Sequence, residues 1–323
     1  MRRIAVMTSG GDASGMNAAV RAIVRTGIYH GIEIIGFRKG YEGIIDNEHL
    51  VLNARSVSGI IDRGGTILET ARSERFMTEE GQKKAFSVLR KHKIDGLIVI
   101  GGDGSFRGAR VIDRMGISTV GVPATIDNDI AGTDYSIGFD TAINTVIDAL
   151  SKIRDTATSH ERVFCVEVMG RLSGEIALYA GLAGGADYIL IPEIEYEMEH
   201  VLGEICEQIS RDFEVGKKHF ILVIAEGAGT AQGMASAITN RTHREVRISI
   251  LGHLQRGGSP TALDRILASR FGAEAVEALM RGERDSLVGI QGKEIVLTSF
   301  EYTFTHEHEI NKKLVELARV LSI

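Results

Sequence analysis

The stretch RIAVMTSGGDASGMNAAVR, residues 3–21, joins an apolar segment to a glycine-rich turn and then to a helical pattern. The apolar segment predicts a buried strand, and Gly10, Gly11 and Gly15 predict a tight turn that opens a helix. Exposed backbone N–H groups and the positive end of the helix dipole make such a junction an anion site. The alternative is a plain strand-to-helix turn, which would seldom need three glycines. The spacing is neither GxGxxG nor a Walker A motif, since no GK[ST] follows.

The same alternation of apolar runs and helical patterns continues along the chain. Eight runs predict buried strands, at 3–9, 32–37, 96–102, 118–124, 163–169, 188–192, 220–227 and 246–253. Eight patterns predict helices, at 15–30, 80–92, 105–115, 139–159, 173–183, 197–213, 231–242 and 261–280. This order predicts an α/β fold with largely parallel sheets and helices on both faces. A second set of strands and helices starts after residue 138, which predicts a domain boundary, and glycine-rich turns near 252–259 can return the chain to the first domain.

Size and charge exclude several classes of protein. With 323 residues, 44% hydrophobic and 25% charged, the chain has the length of about two domains and an ordinary globular composition. Its formal net charge of −6 argues against nonspecific nucleic-acid binding. No apolar run is long enough for a membrane span, and the N-terminus has no signal-peptide pattern. Cys165 and Cys206 lack metal-type spacing. We therefore expect a cytoplasmic protein in which both cysteines are small buried residues.

A second glycine turn, GGDGS at 101–105, also follows a predicted strand and precedes a helix. A carboxylate at Asp103 would repel a bare phosphate unless a divalent cation lay between them. Mg²⁺ typically uses one or two carboxylates while it bridges phosphate oxygens, so Asp103 is the candidate metal ligand. The alternative is that Asp103 only caps the helix. Glycines on both sides of it favour the close approach of a ligand.

The segment PATIDNDIAGTDYSIGFD, residues 123–140, is acidic and contains no Lys or Arg. Its four carboxylates need positive charge from a metal ion or from distant segments; they belong to Asp127, Asp129, Asp134 and Asp140. Elsewhere, Arg72 follows a glycine turn in a segment without clear periodicity. Arg21 and Arg25 share one face of the first helix, where they form either a solvated basic face or a second anion site.

Several motifs in one order give the chain a family resemblance. These are TSGGDASGMNAAVR at 8–21, GGDGS at 101–105, PATIDNDIAGTDYSIGFDTA at 123–142, VEVMGRLSGEIAL at 166–178 and LGHLQRGGSPTALDRILASR at 251–270. GGDG alone is a weak signal, but TIDND with MGR and GHxQRGG in this order is highly specific. The chain resembles the bacterial ATP-dependent 6-phosphofructokinase family from Met1 nearly to Ile323.

The resemblance implies two Rossmann-like, three-layer αβα domains. Residues 1–138 with about 255–305 would bind ATP, and 139–254 with about 306–323 would bind fructose 6-phosphate. The implied reaction is Mg²⁺-assisted transfer of the γ-phosphoryl group of ATP to the 1-hydroxyl of fructose 6-phosphate, the committed step of glycolysis. Such a transfer needs positioning and charge neutralisation more than covalent help.

Site residues follow from the resemblance, position by position. The implied ATP-binding residues are Gly11, Arg72, Ser73, Gly102, Asp103, Gly104 and Ser105, with Asp103 holding Mg²⁺. The implied catalytic group has Asp127 as the base that takes the proton of the 1-hydroxyl, together with Thr125, Arg171, Arg72, Gly11 and Asp129. The implied sugar-phosphate residues are Thr125, Ile126, Asp127, Met169, Gly170, Arg171, Glu226, His253, Leu254, Gln255 and Arg256, with Arg162 and Arg247 supplied by a neighbouring subunit. The resemblance gives Asp134 and Asp140 no catalytic part, so we expect them to cap or pair structurally.

The resemblance also implies a homotetramer with an effector site for ADP and phosphoenolpyruvate. Its implied residues are Arg21, Arg25, Arg154, Gly185, Asp187, Lys217, Lys218 and His219. The match is incomplete, because Ala54 stands at a basic position of the family and Asp187 replaces a Glu. Ser14 also departs from the family's usual proline, although serine can cap a helix.

Two positions distinguish ATP users from pyrophosphate users in this family. Gly104 leaves room for the α-phosphate of a nucleotide where pyrophosphate enzymes have Asp, and Ala124 stands where they tend to carry Lys. Both favour ATP. The alternatives are a pyrophosphate-dependent enzyme, a non-catalytic nucleotide sensor, which should have lost Asp103 or Asp127, and a Rossmann oxidoreductase, which should carry GxGxxG.

Overall fold

The computed structural model describes residues 1–322 and divides into two compact units. The first unit comprises Met1–Thr141 and Arg256–His308, and the second comprises Ala142–Gln255 and, among the described residues, 309–322. Each unit contains one sheet with helices around it, so the predicted α/β class with largely parallel sheets is confirmed.

Strands and helices alternate along most of the chain. The strands are β1 Arg3–Thr8, β2 Glu33–Phe37, β3 His49–Leu52, β4 Gly96–Gly101, β5 Ser118–Pro123, β6 Arg162–Val168, β7 Tyr188–Leu190, β8 His219–Ala225, β9 Val246–Ile250, β10 Ser286–Gln291 and β11 Glu294–Ser299. The α-helices are α1 Met16–Tyr29, α2 Gly40–Asp46, α3 Glu79–Lys91, α4 Asp103–Arg114, α5 Phe139–His160, α6 Glu175–Gly184, α7 Met198–Glu214, α8 Ala231–Thr242, α9 Ala262–Met280, α10 Phe300–Thr305 and α11 Lys312–Leu321. Two 3₁₀ turns cover Arg75–Met77 and Gly252–Arg256.

The first unit contains a seven-stranded sheet in the order β11-β10-β5-β4-β1-β2-β3. Its five central strands are parallel, and β3 and β11 are antiparallel at the two edges. The apolar run of β1 is buried on both faces because helices cover both sides of the sheet. Helices α2, α3, α4 and α10 contribute to the core on one side. On the other side α9 lies directly against α1, since a Cβ on Gly272 would stand 2.8 Å from the carbonyl oxygen of Ala19.

The second unit contains a four-stranded sheet in the order β7-β8-β6-β9, and all of its strands are parallel. Apolar residues of β6 and β8 pack against α7 and α8 in one core. Ile205 and Ile209 of α7 are fully buried, one turn apart on the same face of the helix. Among residues 1–322, no helix is long and apolar enough to cross a membrane.

All eight predicted strands and all eight predicted helices are present, with shifted ends. Three strands and three helices were missed, namely β3, β10, β11, α2, α10 and α11. The edge strand β3 has only four residues, and α2 spans seven residues between two left-handed residues, so neither gives a long periodic signal. Cys165 is buried, and burial raises the pKa of its thiol to about 12. The expectation for Cys206 is wrong, because this residue is only partly buried.

Candidate active site

The order of strands brings the two glycine turns of the first unit together. The chain runs from β1 outward to β2 on one side and returns to β4 on the other side of β1, which makes the carboxyl ends of β1 and β4 a topological switch point. Doubly wound sheets bind their ligands at such a point. The N–H of Ser9 donates to the carbonyl of Ile100 (2.9 Å), and the N–H of Ala124 donates to that of Gly101 (2.9 Å). The loops after β1, β4 and β5 are therefore neighbours.

The turn after β1 has the backbone that its glycines predicted. Gly10 and Gly15 have φ angles of 86° and 113°, which L side chains rarely adopt, and α1 starts directly after Gly15. A Cβ on Gly11 would lie 2.6 Å from Nη1 of Arg256, so this guanidinium lies directly against Gly11. The same Nη1 donates to the carbonyl of Asp12 (3.2 Å). Arg256 therefore adds a positive charge to the exposed N–H groups of the turn.

The turn after β4 is open where a ligand would have to approach. No atom lies within 4 Å of an ideal Cβ on Gly104, and Gly104 is exposed. Helix α4 begins at Asp103 rather than at 105, and its N-cap, Gly102, provides no side-chain cap. The interpretation of Asp103 as a cap is therefore wrong. Its carboxylate forms an ion pair with Arg107 one helical turn later (2.8 Å), and 43% of its side chain is exposed.

The donor set at Asp103 fits Mg²⁺. The described residues contain no group of three or more His, Cys, Asp or Glu side chains that could enclose a metal ion. Mg²⁺ does not need such an enclosure, since it keeps several waters and uses one or two carboxylates plus phosphate oxygens. An accessible carboxylate beside two ligand-accessible glycine turns meets that requirement.

The turn after β5 buries the predicted base. Asp127 is only 3% exposed, and its N–H donates to Oγ1 of Thr125 (3.2 Å). Asn128 has a positive φ of 50°, and its Oδ1 accepts from the N–H of Ser136 (2.8 Å). These bonds fix the turn, with Ile126 buried and Asp129 exposed.

The other two carboxylates of this segment have structural partners, as predicted. Asp134 accepts from the N–H of Gly292 (2.6 Å), and Asp140 accepts from the hydroxyl of Thr261 (2.5 Å). Both tie the acidic segment to the part of the first unit that follows residue 256.

Arg72 and Ser73 lie in an irregular segment of the same unit. Within residues 1–322, Arg72 is exposed and makes no hydrogen bond or ion pair, so its guanidinium is available to a ligand. The hydroxyl of Ser73 donates to the carboxylate of Glu42, and this bond, together with one from Arg75, lowers the pKa of the Glu42 carboxyl. Sequence reasoning missed Glu42, because no local signal links it to a serine 31 residues later.

In the second unit, three of the predicted sugar-phosphate segments follow neighbouring strands. The Gly170 and Arg171 N–H groups donate to Oε1 of Glu226 (3.2 and 2.7 Å), which connects the ends of β6 and β8. Met169 donates its N–H to Oε1 of Gln255 (3.2 Å), which connects β6 to the turn after β9. Gln255 is only 1% exposed and orients this turn. The two residues before it, His253 and Leu254, are exposed.

Arg162 and Arg247 lie elsewhere in this unit. Arg162 is the first residue of β6 and Arg247 the second residue of β9, so both lie at the amino ends of strands whose carboxyl ends carry Met169 and Gly252. Strand β6 has seven residues, which corresponds to about 20 Å at 3.3 Å per residue. Both arginines form ion pairs with Glu245. The structure therefore does not bring them to the residues that follow β6, β8 and β9.

Most of the predicted effector residues of the second unit have partners within it. Lys217 contacts Asp187 (2.5 Å) and Asp212 (2.8 Å); burial disfavours its charge, but these carboxylates raise its pKa overall. Arg154 donates to the carbonyl of Gly185 (2.9 Å). Lys218 pairs with Glu161, and His219, whose pKa is lowered by burial, contacts Thr158 (3.1 Å). Arg21 and Arg25 lie on α1 of the first unit, one half-buried and the other exposed.

Fold and site together define a class of protein. The first unit has a doubly wound sheet with two glycine turns at its switch point, an accessible carboxylate and nearby arginines. These features are typical of α/β proteins that bind phosphates or nucleotides. The phosphofructokinase family model matches residues 3–279. The chain belongs to the phosphofructokinase family.

Individual relatives agree with this assignment. A protein of Brevibacillus brevis named ATP-dependent 6-phosphofructokinase is 53% identical over 323 residues, with all of both chains covered. The structure of phosphofructokinase from Saccharomyces cerevisiae superposes with a TM-score of 0.89 at 36% identity over 99% of this chain, which spans 47% of the yeast chain. A pyrophosphate-dependent phosphofructokinase from Marinobacter aquaeolei superposes with a TM-score of 0.84 at 25% identity, over 97% of this chain and 86% of that one.

Proposed function

We propose that this protein is an ATP-dependent 6-phosphofructokinase. It transfers the γ-phosphoryl group of ATP to the 1-hydroxyl of fructose 6-phosphate, giving ADP and fructose 1,6-bisphosphate. The observation that carries the proposal is the match at 53% identity, over the full length of both chains, to a relative with that name.

The first unit binds ATP in this proposal. Backbone N–H groups at Gly11 and at Gly102–Ser105 bind the phosphates, because glycine turns that open helices present several donors to an anion. The unpaired guanidinium of Arg72 adds positive charge, and Ser73 lines the nucleotide site. Asp103 holds Mg²⁺, which shields the charge of the phosphate oxygens when it is bound.

Asp127 acts as the general base. An alcohol must lose its proton as it attacks phosphorus, so one positioned carboxylate is suited to the task. The bond from the Asp127 N–H to Thr125 and the burial of the turn support a fixed position for this carboxylate. Arg72 and Arg171 offset the charge that moves onto the transferring group, and Asp129 would lie near the metal ion and the phosphates when these are bound.

The sugar phosphate is bound by residues of the turns that follow β6, β8 and β9. Met169, Gly170, Arg171 and Glu226 surround the sugar, and His253, Leu254, Gln255 and Arg256 form the 6-phosphate end. Arg162 and Arg247 reach the ligand of a neighbouring copy. Their position at the amino ends of the strands supports this assignment, because they lie about 20 Å from the residues at the other end of β6.

The protein further acts as a cytoplasmic homotetramer whose effector residues bind ADP and phosphoenolpyruvate. The cluster of Arg154, Lys217, Lys218 and His219 supports an anion site. The pairing of Lys217 with two carboxylates implies that an anionic effector must compete with Asp187 and Asp212.

Pyrophosphate is the second candidate phosphoryl donor, because this chain shares its fold with the pyrophosphate-dependent enzyme from Marinobacter. The open space at Gly104 and the small Ala124 favour ATP instead. Initial rates of fructose 1,6-bisphosphate formation with Mg²⁺ and either ATP or pyrophosphate test the proposal. We expect turnover with ATP and at most a trace with pyrophosphate, and the reverse result would contradict the choice of donor.

A further inference from the structure

Asn17, the second residue of α1, uses its whole amide group to hold a distant loop. Its side chain is buried, with 2% of the residue exposed. Nδ2 donates to the carbonyls of Arg63 (3.1 Å) and Gly64 (3.2 Å), and Oδ1 accepts from the N–H of Ile67 (2.7 Å). One side chain at the start of α1 therefore fixes three backbone groups of the 63–67 loop.

This loop leads to Arg72. It is held a second time by Thr66, whose hydroxyl contacts that of Thr8 at the end of β1 (3.0 Å), and Thr8 donates to the carbonyl of Glu69 (2.7 Å). The backbone up to residue 69 is therefore fastened to the segment that contains the first glycine turn. Arg72 itself lies three residues further on and has no partner in the described chain.

The same loop contacts the turn that follows Arg256. A Cβ on Gly64 would collide with the carbonyl of Gly258, so the two backbones are in direct contact. Ser14 is also buried, and its hydroxyl donates to the carbonyl of Gly258 (2.8 Å). It does not cap α1, contrary to the expectation from its sequence position, because the N-cap is Gly15 and no side-chain hydrogen bond caps this end of the helix.

We propose that Asn17 and Ser14 are positioning residues, which set the distances of Arg72 and Arg256 from the phosphate-binding turn at Gly11. Asn17 acts on the loop that carries Arg72, and Ser14 acts on the turn that carries Arg256. Neither side chain touches the reacting atoms. The inference rests on the proposed function, in which Arg72 contacts ATP and Arg256 contacts the 6-phosphate.

Kinetics of Asn17→Ser and Ser14→Ala test this inference. A shift of about 1 Å in a positioning group can cost a hundredfold in rate, so we expect Asn17→Ser to raise KM for ATP at least tenfold. Ser14→Ala should raise KM for fructose 6-phosphate at least fivefold and KM for ATP by a smaller factor, because the Ser14 hydroxyl donates to the carbonyls of Gly258 (2.8 Å) and Arg256 (3.5 Å). Thr119→Val is the matched control. It removes a buried hydroxyl that bonds Ala109 (3.3 Å) within the same unit, away from both turns.

The readout separates positioning from stability. Each variant is titrated for its active fraction, so that partial unfolding lowers the apparent enzyme concentration without changing KM. Unchanged KM values for both substrates in Asn17→Ser and Ser14→Ala, whether or not Tm falls, would overturn the inference. The milder Ser14→Ala change decides the outcome if Asn17→Ser does not fold. A wild-type enzyme without turnover of ATP and fructose 6-phosphate would contradict the proposed function instead, which is a distinct result.

Discussion

Replacement of Gly104 by Asp tests whether the phosphates of ATP pass over the start of α4. Gly104 is exposed, has no atom within 4 Å of an ideal Cβ, and does not have a positive φ. The protein can therefore accept a side chain here without a clash. A non-glycine residue also lowers the conformational entropy of the unfolded chain, and an acid near a helix N-terminus is favourable. The folded state should be as stable as the wild type, so a kinetic effect reports on the ligand.

The magnitude follows from charge. Two unit charges about 4 Å apart repel by about 4 kcal/mol at an effective dielectric constant of 20. The exposed position allows solvent to screen part of this repulsion. A remaining cost of about 3 kcal/mol corresponds to about a hundredfold rise in KM for ATP. Gly104→Ala adds the Cβ without the charge and should raise KM by less than tenfold.

The assay measures initial rates of fructose 1,6-bisphosphate formation against ATP at saturating fructose 6-phosphate. Thermal unfolding of both variants in parallel confirms that they fold. A Gly104→Asp enzyme with wild-type Tm and KM for ATP within threefold of wild type would refute the reasoning, because the phosphates could not then lie near this residue.

Three more predictions concern the base, the sugar phosphate and a buried acid. Asp127→Ser should lower kcat by a factor of about 10² to 10⁴ with little change in KM for fructose 6-phosphate, since the base acts in the transition state; a raised KM at constant kcat would contradict this. Arg256→Ala should raise KM for fructose 6-phosphate, and an equilibrium binding assay with fructose 6-phosphate should show the same loss of affinity. Burial raises the pKa of Asp264 from 3.8 to about 6, despite bonds from Thr141 and Gly138. The folded state then binds the proton more tightly than the unfolded state, so this group's stabilisation, about 3 kcal/mol, is present below pH 4 and is lost as the pH rises to 6. Urea unfolding of wild type and Asp264→Asn across this range should show a shallower pH dependence in the variant, and parallel curves would exclude the effect.

The central strands of both sheets could be predicted because parallel strands buried on both faces have continuous apolar sequences. Residues 96–101 are an example, since every one of them is buried. The glycine turns after β1 and β4 were also predicted from local sequence, because glycines directly follow the apolar run of each strand. The edge strand β3 was missed because its residues are mostly exposed or half-buried, and α11 was missed because none of its residues is buried.

Contacts between distant segments could not be read from local patterns. Arg256 follows a turn late in the chain, and only the folded sheet brings it against Gly11. The roles of Asn17 and Glu42 could not be predicted for the same reason. Asn17 bonds backbone groups that lie 46 to 50 residues away, and Glu42 bonds a hydroxyl that lies 31 residues away. The acidic segment at 123–140 combines a feature that its sequence predicted with contacts that it could not predict. Its sequence indicated that Asp134 and Asp140 are structural, but not that their partners would be Gly292 and Thr261.

The first unit is built from two separate stretches of the chain, and this determines the order in which it can mature during translation. On the side away from β4, strand β5 pairs with β10. Strand β10 leaves the ribosome only after the whole of Ala142–Gln255 has been made. Until then the nascent sheet has an open edge at β5, and α1 lacks its cover from α9. Ribosome-bound chains that end near Gln255 should therefore be cleaved by protease in the first unit and recruit chaperones, whereas released full-length chains should resist.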